Sequence, residues 1–338
     1  MARRHALTVC LAAALVAGCG GGGDGLNVPH AASAEAQGPA ARYAALQALD
    51  ARVATVFHRL VTANVDLCGA PGRSSGWSLH AANQYGAEMR PVVAATGDLK
   101  GDLPAVLAVV PGGPAARAGL EVGDVILSVD GTALSIGAID AAESWDGVAR
   151  NLAAMDAALA DDGPAMLEIS RGGAVRTVRL TADPACPHSV QLDVSDELNA
   201  RANGTGVFIS TALAGFAAND DELALILAHE LAHNILKHRE RFDREAPARR
   251  VFGNLAVAPS SLAAAERDAD RWGLYLMARA GFDVDVAAPF WRRFGAANWR
   301  VRWAQWGHPS AEVRARQLEA VSAEIADARA RTGRIDPR

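Results

Sequence analysis

The chain has 338 residues, half of them hydrophobic, with 38 acidic against 33 basic residues and a formal charge of −5. That length favours two domains over one and supplies enough apolar material for sizeable cores, although alanine inflates the figure. No basic excess suited to nucleic acid is present, which sets that class of partner aside. The arginines scattered over 239–250 and 292–302 read as solvated or ion-paired faces.

At the start of the chain, Arg3 and Arg4 precede an apolar run from Ala6 to Ala17, the pattern of a secretory signal too short to span a bilayer. The segment Val16-Ala17-Gly18-Cys19 and the glycines after it are similar to a bacterial lipobox. That similarity implies a leader over 1–18, lipidation of Cys19 and, with Gly20 after the cysteine, anchoring to the outer membrane on its periplasmic side. A plain signal peptide that happens to end near a cysteine is the alternative. Loss of residues 1–18 takes away Arg3 and Arg4 and no acid, leaving 31 basic and 38 acidic residues and a charge of −7. Residues 19–40, rich in Gly, Ala and Pro, read as a flexible tether. No later stretch is long and apolar enough to cross a bilayer.

Ala41 to Leu67 carries Leu46, Leu49, Val53, Val56, Phe57, Leu60 and Val61 at helical intervals, which predicts an amphipathic helix over 41–68 that packs on the C-terminal domain, a free linker helix being the alternative. His58 on it is expected at the surface. With Cys10 in the leader and Cys19 lipidated, Cys68 and Cys186 are left to form a disulfide in an oxidising compartment, two free buried thiols being the alternative. They bracket residues 69–185. Within this stretch Val109 to Gly131 predicts a strand, a short helix packed through Ala115, Ala116 and Ala118, a stop at Gly119, a turn at Gly123-Asp124 and a second strand closed by Asp130-Gly131. Val148–Ala160 follows with Leu152, Met155 and Leu159 at helical spacing, then a hairpin from Ala165–Ser170 and Val175–Leu180 around Gly172-Gly173. This sequence resembles a bacterial PDZ domain, which implies capture of a peptide as an added strand with its terminal carboxylate on backbone amides. The usual Gly-Leu-Gly-Phe loop is not apparent, and Gly76-Trp77-Ser78-Leu79 stands as the candidate. A substrate-sensing lid or plain packing are the other readings of the module.

The last stretch, 186–338, carries the chemistry. Leu198 to Thr211 reads as a turn and then a strand, in which Val207 and Ile209 alternate with Phe208 and Ser210. Apolar Leu223, Leu225, Ile226, Leu227, Leu231, Ile235 and Leu236 predict a helix capped by Asn219 or Asp220. It contains His229-Glu230-Leu231-Ala232-His233. Residues four apart share a helical face, so both imidazoles can reach one zinc ion, and Glu230 is placed to act as a general base toward water. His238, five residues past His233, would lie about 140° further round a continuous helix and is expected at the surface. Ser260 to Met277 predicts a second helix with a serine cap, on which Glu266 and Asp270 share a face. One carboxylate can complete a His-His-Glu site and the other can orient a ligand imidazole through its free N–H; a solvated acidic face is the alternative. The run His308-Pro309-Ser310-Ala311-Glu312-Val313-Arg314 leads into a charged helix over 311–329, and on the residues alone His308 reads first as a capping residue before it.

The motifs His-Glu-Leu-Ala-His at 229–233, Glu-x-x-x-Asp at 266–270 and His-Pro with a following arginine at 308–314 resemble the gluzincin metallopeptidases related to CAAX prenyl proteases and bacterial heat-shock membrane proteases, whose soluble periplasmic members act in outer-membrane quality control. The likeness covers roughly 187–320. It implies one Zn2+ per chain on His229, His233 and Glu266, Glu230 as base, Asp270 as the partner of a ligand imidazole, and His308 and Arg314 as donors to the oxyanion. It also implies that the strand at 207–210 lies at a sheet edge and pairs with an extended substrate, an ordinary sheet strand being the alternative. The expected architecture is α+β, a mainly helical zincin-type metallopeptidase domain with a small sheet plus a PDZ-like, β-rich insert. The expected function is zinc-dependent proteolysis of misfolded or misassembled envelope proteins. A non-catalytic peptide-binding lipoprotein with a latent metal site is the second reading, and a membrane-embedded prenyl-peptide protease fits poorly.

Overall fold

A computed structural model describes residues 38–139, 142–160, 162–246, 257–298 and 309–338. The expected leader, Cys19 and His308 lie outside the described residues. The protein is α+β and has two large hydrophobic cores. Among the described residues no helix is long and apolar enough to cross a membrane.

The first core belongs to the β-rich module. Helix α1 (Pro39–Ala63) leads through β1 (Gly72–Ser74) into β2 (Trp77–His80), α2 (Arg90–Ala94), β3 (Ala105–Val109), α3 (Pro114–Arg117), β4 (Val125–Val129) and β5 (Thr132–Ala133). Helix α4 (Asp146–Ala158) and strands β6 (Ala165–Arg171), β7 (Ala174–Leu180) and β8 (Asp183–Ala185) complete it. One sheet runs in the order β2-β3-β4-β6-β7, with β5 paired to β4. Its tight turns use residues that tolerate positive φ: Asp130 and Gly131 between β4 and β5, and Gly172 and Gly173 between β6 and β7. Both are two-residue turns matched to the right-handed twist of the strands they join. Leu107, Ile126, Met155, Leu167, Ile169 and Leu180 fill the core.

The second core gathers the chemistry-bearing helices. Strands β9 (Ser189–Asp193), β10 (Ala200–Ala202) and β11 (Gly206–Ser210) precede α5 (Thr211–Phe216), α6 (Asp220–Ile235), α7 (His238–Glu245), α8 (Pro259–Arg279), α9 (Ala287–Ala297) and α10 (Ala311–Thr332). Helix α8 opens with Pro259 at its first turn, not with a serine cap, because proline pre-sets the φ the first turn needs. The sheet order is β10-β11-β9, β11 pairing antiparallel to β10 and parallel to β9. The strand at 207–210 is therefore central and its two hydrogen-bonding edges are both taken. The edge expected there is supplied by β10.

Helix α1 joins the halves. Val53, Val56, Phe57, Leu60 and Val61 are buried in the second core, whereas Tyr43 is buried in the first, so α1 packs on both domains and not on the C-terminal one alone. Gln47 donates from Nε2 to the carbonyl of Leu107 at 3.1 Å, satisfying a backbone group where the β2–β3 register shifts. Arg52 reaches the other way, with Nε 2.7 Å from Asp220 and Nη1 3.1 Å from the Ala217 carbonyl, at the start of α6. His58, expected at the surface, is half-buried with Nδ1 2.8 Å from the Ser74 hydroxyl, because α1 runs beside the neck of the module. That neck is closed by β1 pairing with β8 and by a Cys68–Cys186 disulfide, Cα atoms 5.5 Å apart, across 118 residues. A loop of that length corresponds to about 4–5 kcal/mol of restricted unfolded-state entropy in the chain-entropy model.

Candidate metal centre and catalytic cleft

Helix α6 is set up to place two imidazoles. Asn219 caps it by accepting from the Glu222 N–H at 3.0 Å, and Asp220, Asp221 and Glu222 put negative charge at the positive end of the dipole. Leu223, Leu227 and Leu231 recur every four residues and are fully buried, which turns the opposite face, with His229 and His233, toward a cleft of about 350 Å³. Asn234 fixes the helix to the β10–β11 turn: its Nδ2 donates to the Gly206 carbonyl at 3.0 Å and its Oδ1 accepts from the Gly204 N–H at 2.7 Å.

Helix α8 supplies the acids. Gly273 lets it approach closely, since a Cβ there would stand 3.2 Å from the backbone N and Cα of His229. One turn earlier Asp270 lies with Oδ1 3.0 Å from His229 Nδ1. Two turns earlier Glu266 lies with its carboxylate oxygens 3.6 Å from His229 Nε2 and 3.5 Å from His233 Nε2. The two Nε2 atoms are 3.1 Å apart. Ligands at about 2.0–2.1 Å from a tetrahedral zinc stand roughly 3.3 Å from one another, so these three atoms fit the ion. Among the described residues this is the one group of three or more such side chains with metal spacing.

Burial pulls the His229 pKa down, but the hydrogen bonds to Asp270 and Glu266 outweigh it and push the value up to about 10. Without a metal the acids thus hold a proton on His229, which a bound cation would displace. Burial depresses His233 to about 3, which keeps that imidazole neutral, the form a metal ligand needs. Burial raises Glu230 to about 7. The Glu230 carboxylate also accepts a hydrogen bond from the Ala202 N–H of β10, so the base and the strand edge face the same cleft.

Arg314 enters from α10 and is buried. Its Nε donates to Asp270 Oδ2 at 2.8 Å, its Nη2 to Asp270 Oδ1, and its Nη1 lies 3.4 Å from Glu266. The guanidinium carbon sits 3.6 Å over the Trp291 ring of α9. Its planar fork is held by Asp270 and Glu266 beside His229, the place from which the resemblance has it donate to the oxyanion. Those contacts keep Asp270 ionised, its pKa lowered against the pull of burial.

Two further residues at the site had no clear signal in the sequence. Asn234 looks like an ordinary polar residue late in a helix. His238 is not at the surface but 2% exposed, with Nδ1 2.9 Å from His233 Nδ1. The continuous helix that would carry it away does not form: Lys237 adopts φ 53°, α6 stops, and α7 begins with His238 turned back. Gly76 has φ 66° and leads into β2, which is an edge strand containing Trp77, Ser78 and Leu79. The carbonyls of Ser75 and Gly76 accept from Ala115 and Val110.

Comparison with known proteins gives the following. The model of peptidase family M48 matches residues 174–246, which takes in His229, Glu230 and His233 and stops short of Glu266. A PDZ domain model matches residues 106–145. The chain is similar to the mitochondrial metalloendopeptidase OMA1 of Schizosaccharomyces pombe, 30% identical over 139 residues, 34% of this chain and 41% of the relative. It is also similar to OMA1 of Saccharomyces cerevisiae, 29% identical over 107 residues, 27% of this chain and 31% of the relative. The chain thus matches less than half the length of either. Among solved structures, a photosystem II D1 C-terminal processing protease aligns over 34% of this chain and 24% of its own at 26% identity, and its TM-score of 0.23 is too low to argue from.

Proposed function

We propose, from the premise that the chain belongs to peptidase family M48 and carries a PDZ domain, that it is a zinc-dependent endopeptidase acting on proteins of the bacterial cell envelope. The observation that carries this reading is the convergence of His229, His233 and Glu266 beside Glu230 in one cleft. A bound Zn2+ would supply Lewis-acid polarisation of the scissile carbonyl and of the attacking water. His229 and His233 would hold it through Nε2 and Glu266 through a carboxylate oxygen. Glu230 takes the proton from the water and hands it to the departing amine, work suited to a carboxyl whose pKa lies near neutrality. Strand β10, whose outer edge pairs with no other strand among the described residues, would take an extended substrate segment, excluding water from one side and fixing the register of the scissile bond. His308 and Arg314 would donate to the oxyanion, the roles that the family likeness gives them.

In the same reading the PDZ domain docks a peptide end along β2, the leader sends the chain to the periplasm, and a lipid on Cys19 holds it at the outer membrane. Misfolded or misassembled envelope proteins are the substrate class. The test is cleavage of an unfolded casein by the zinc-loaded protein and by Glu230→Gln. Loss of at least about a thousandfold in rate with zinc still bound is expected. Equal cleavage by both would refute the mechanism, and no cleavage by either, with zinc bound, would favour a peptide-binding protein.

A further inference from the structure

We propose that His238 is a positioning residue that sets the tautomer of the ligand His233, an inference that rests on the metallopeptidase reading above. The two ligand imidazoles are supported differently. His229 has a carboxylate oxygen of Asp270 3.0 Å from its Nδ1. His233 has an imidazole, with His238 Nδ1 at 2.9 Å and the two rings inclined at 77°.

A nitrogen-to-nitrogen contact of that length holds one proton, and its side decides what His233 can do. His233 Nε2 faces His229 Nε2 and Glu266, so it is the nitrogen available to a metal. For Nε2 to keep its lone pair in a neutral ring, the proton must sit on Nδ1 and be donated to His238. His238 must then accept through Nδ1 and carry its own proton on Nε2. The opposite arrangement, with His238 donating, would leave His233 protonated at Nε2 and closed to the ion. The surroundings hold the His238 ring in position. It is buried, stacks at 29° on Phe242, and is brought back by the left-handed Lys237, a conformation that L side chains rarely adopt.

The experiment measures zinc affinity by chelator competition for the intact protein, His238→Phe and His238→Asn, with circular dichroism as the control for folding. Phenylalanine fills the space and cannot accept, and a loss of about 10–100-fold in affinity is expected. Asparagine can place its Oδ1 where Nδ1 stood, and affinity within about threefold of the wild type is expected. Equal affinity in His238→Phe, or an equal loss in both variants, would overturn the role assigned to His238 while leaving the metal site standing. A wild-type chain that takes up no zinc would overturn the metallopeptidase reading and this inference with it. Nitrogen-15 spectra of the zinc-bound wild type give a check independent of any variant: His238 is expected as the Nε2–H tautomer, and the Nδ1–H tautomer would contradict the proposal.

Discussion

Asp270 and Arg314 form a buried pair in which each side chain depends on the other and on His229. Both are 6% exposed, and the arginine binds the carboxylate through two nitrogens. Removing one partner of such a pair leaves an uncompensated charge in a low-dielectric setting. Arg314→Leu is therefore expected to lower stability by about 3–5 kcal/mol in urea denaturation. Arg314→Lys, which keeps the charge but not the planar fork, should fall between it and the wild type. A melt of Arg314→Leu that matches the wild type would show that Asp270 does not depend on this contact. At this scale the sequence was legible where residues close in the chain share a helix: His229 with His233, and Glu266 with Asp270. It was silent on Arg314 meeting Asp270, because the contact spans 44 residues and is decided by how α10 packs. It was misleading at His238, since nothing in a lysine announces a left-handed backbone.

Helices α6 and α8 meet where Gly273 lies against His229, and that closeness puts Glu266 and Asp270 within reach of the imidazoles. In Gly273→Ala the new methyl meets backbone, which cannot turn aside as a side chain would. A loss of about 1–3 kcal/mol in stability is expected, together with weaker zinc binding, checked by thermal melts and chelator competition; unchanged values for both would mean the helices have slack. On α1, burial raises Asp50 to about 7 from its ordinary 3.8. The folded protein then binds more protons than the unfolded chain between those values, so stability is lost as pH rises through that window. Asp50→Asn should be more stable than the wild type by about 1–3 kcal/mol near pH 8, a figure discounted for partial exposure, and equal to it near pH 4. Denaturant melts at the two pH values check this, and a gap of the same size at both would contradict it. The helices themselves were readable from caps and period, as were the hairpin at Gly172-Gly173 and the strand at 206–210. The central place of that strand was not readable, because it depends on pairing with β9 and with the three residues of β10, which carry too little pattern to be seen alone.

The described residues form two large cores joined by one helix, with the β-rich module closed off at its neck by β1, β8 and the Cys68–Cys186 bond. The bracketing cysteines made that closed neck visible in the sequence. The double role of α1 was hidden, because an apolar helical face looks the same whether it meets one core or two. Tyr43 and Gln47 touch the β-rich module, while Arg52 touches the start of α6, so a single helix spans from β3 to the helix bearing His229 and His233. The direct measurement is anomalous diffraction at the zinc edge on crystals of the protein grown with the metal. One peak is expected per chain, at about 2.0–2.1 Å from His229 Nε2, His233 Nε2 and a Glu266 oxygen. A peak on other residues, or crystals without zinc between these three side chains, would contradict the assignment.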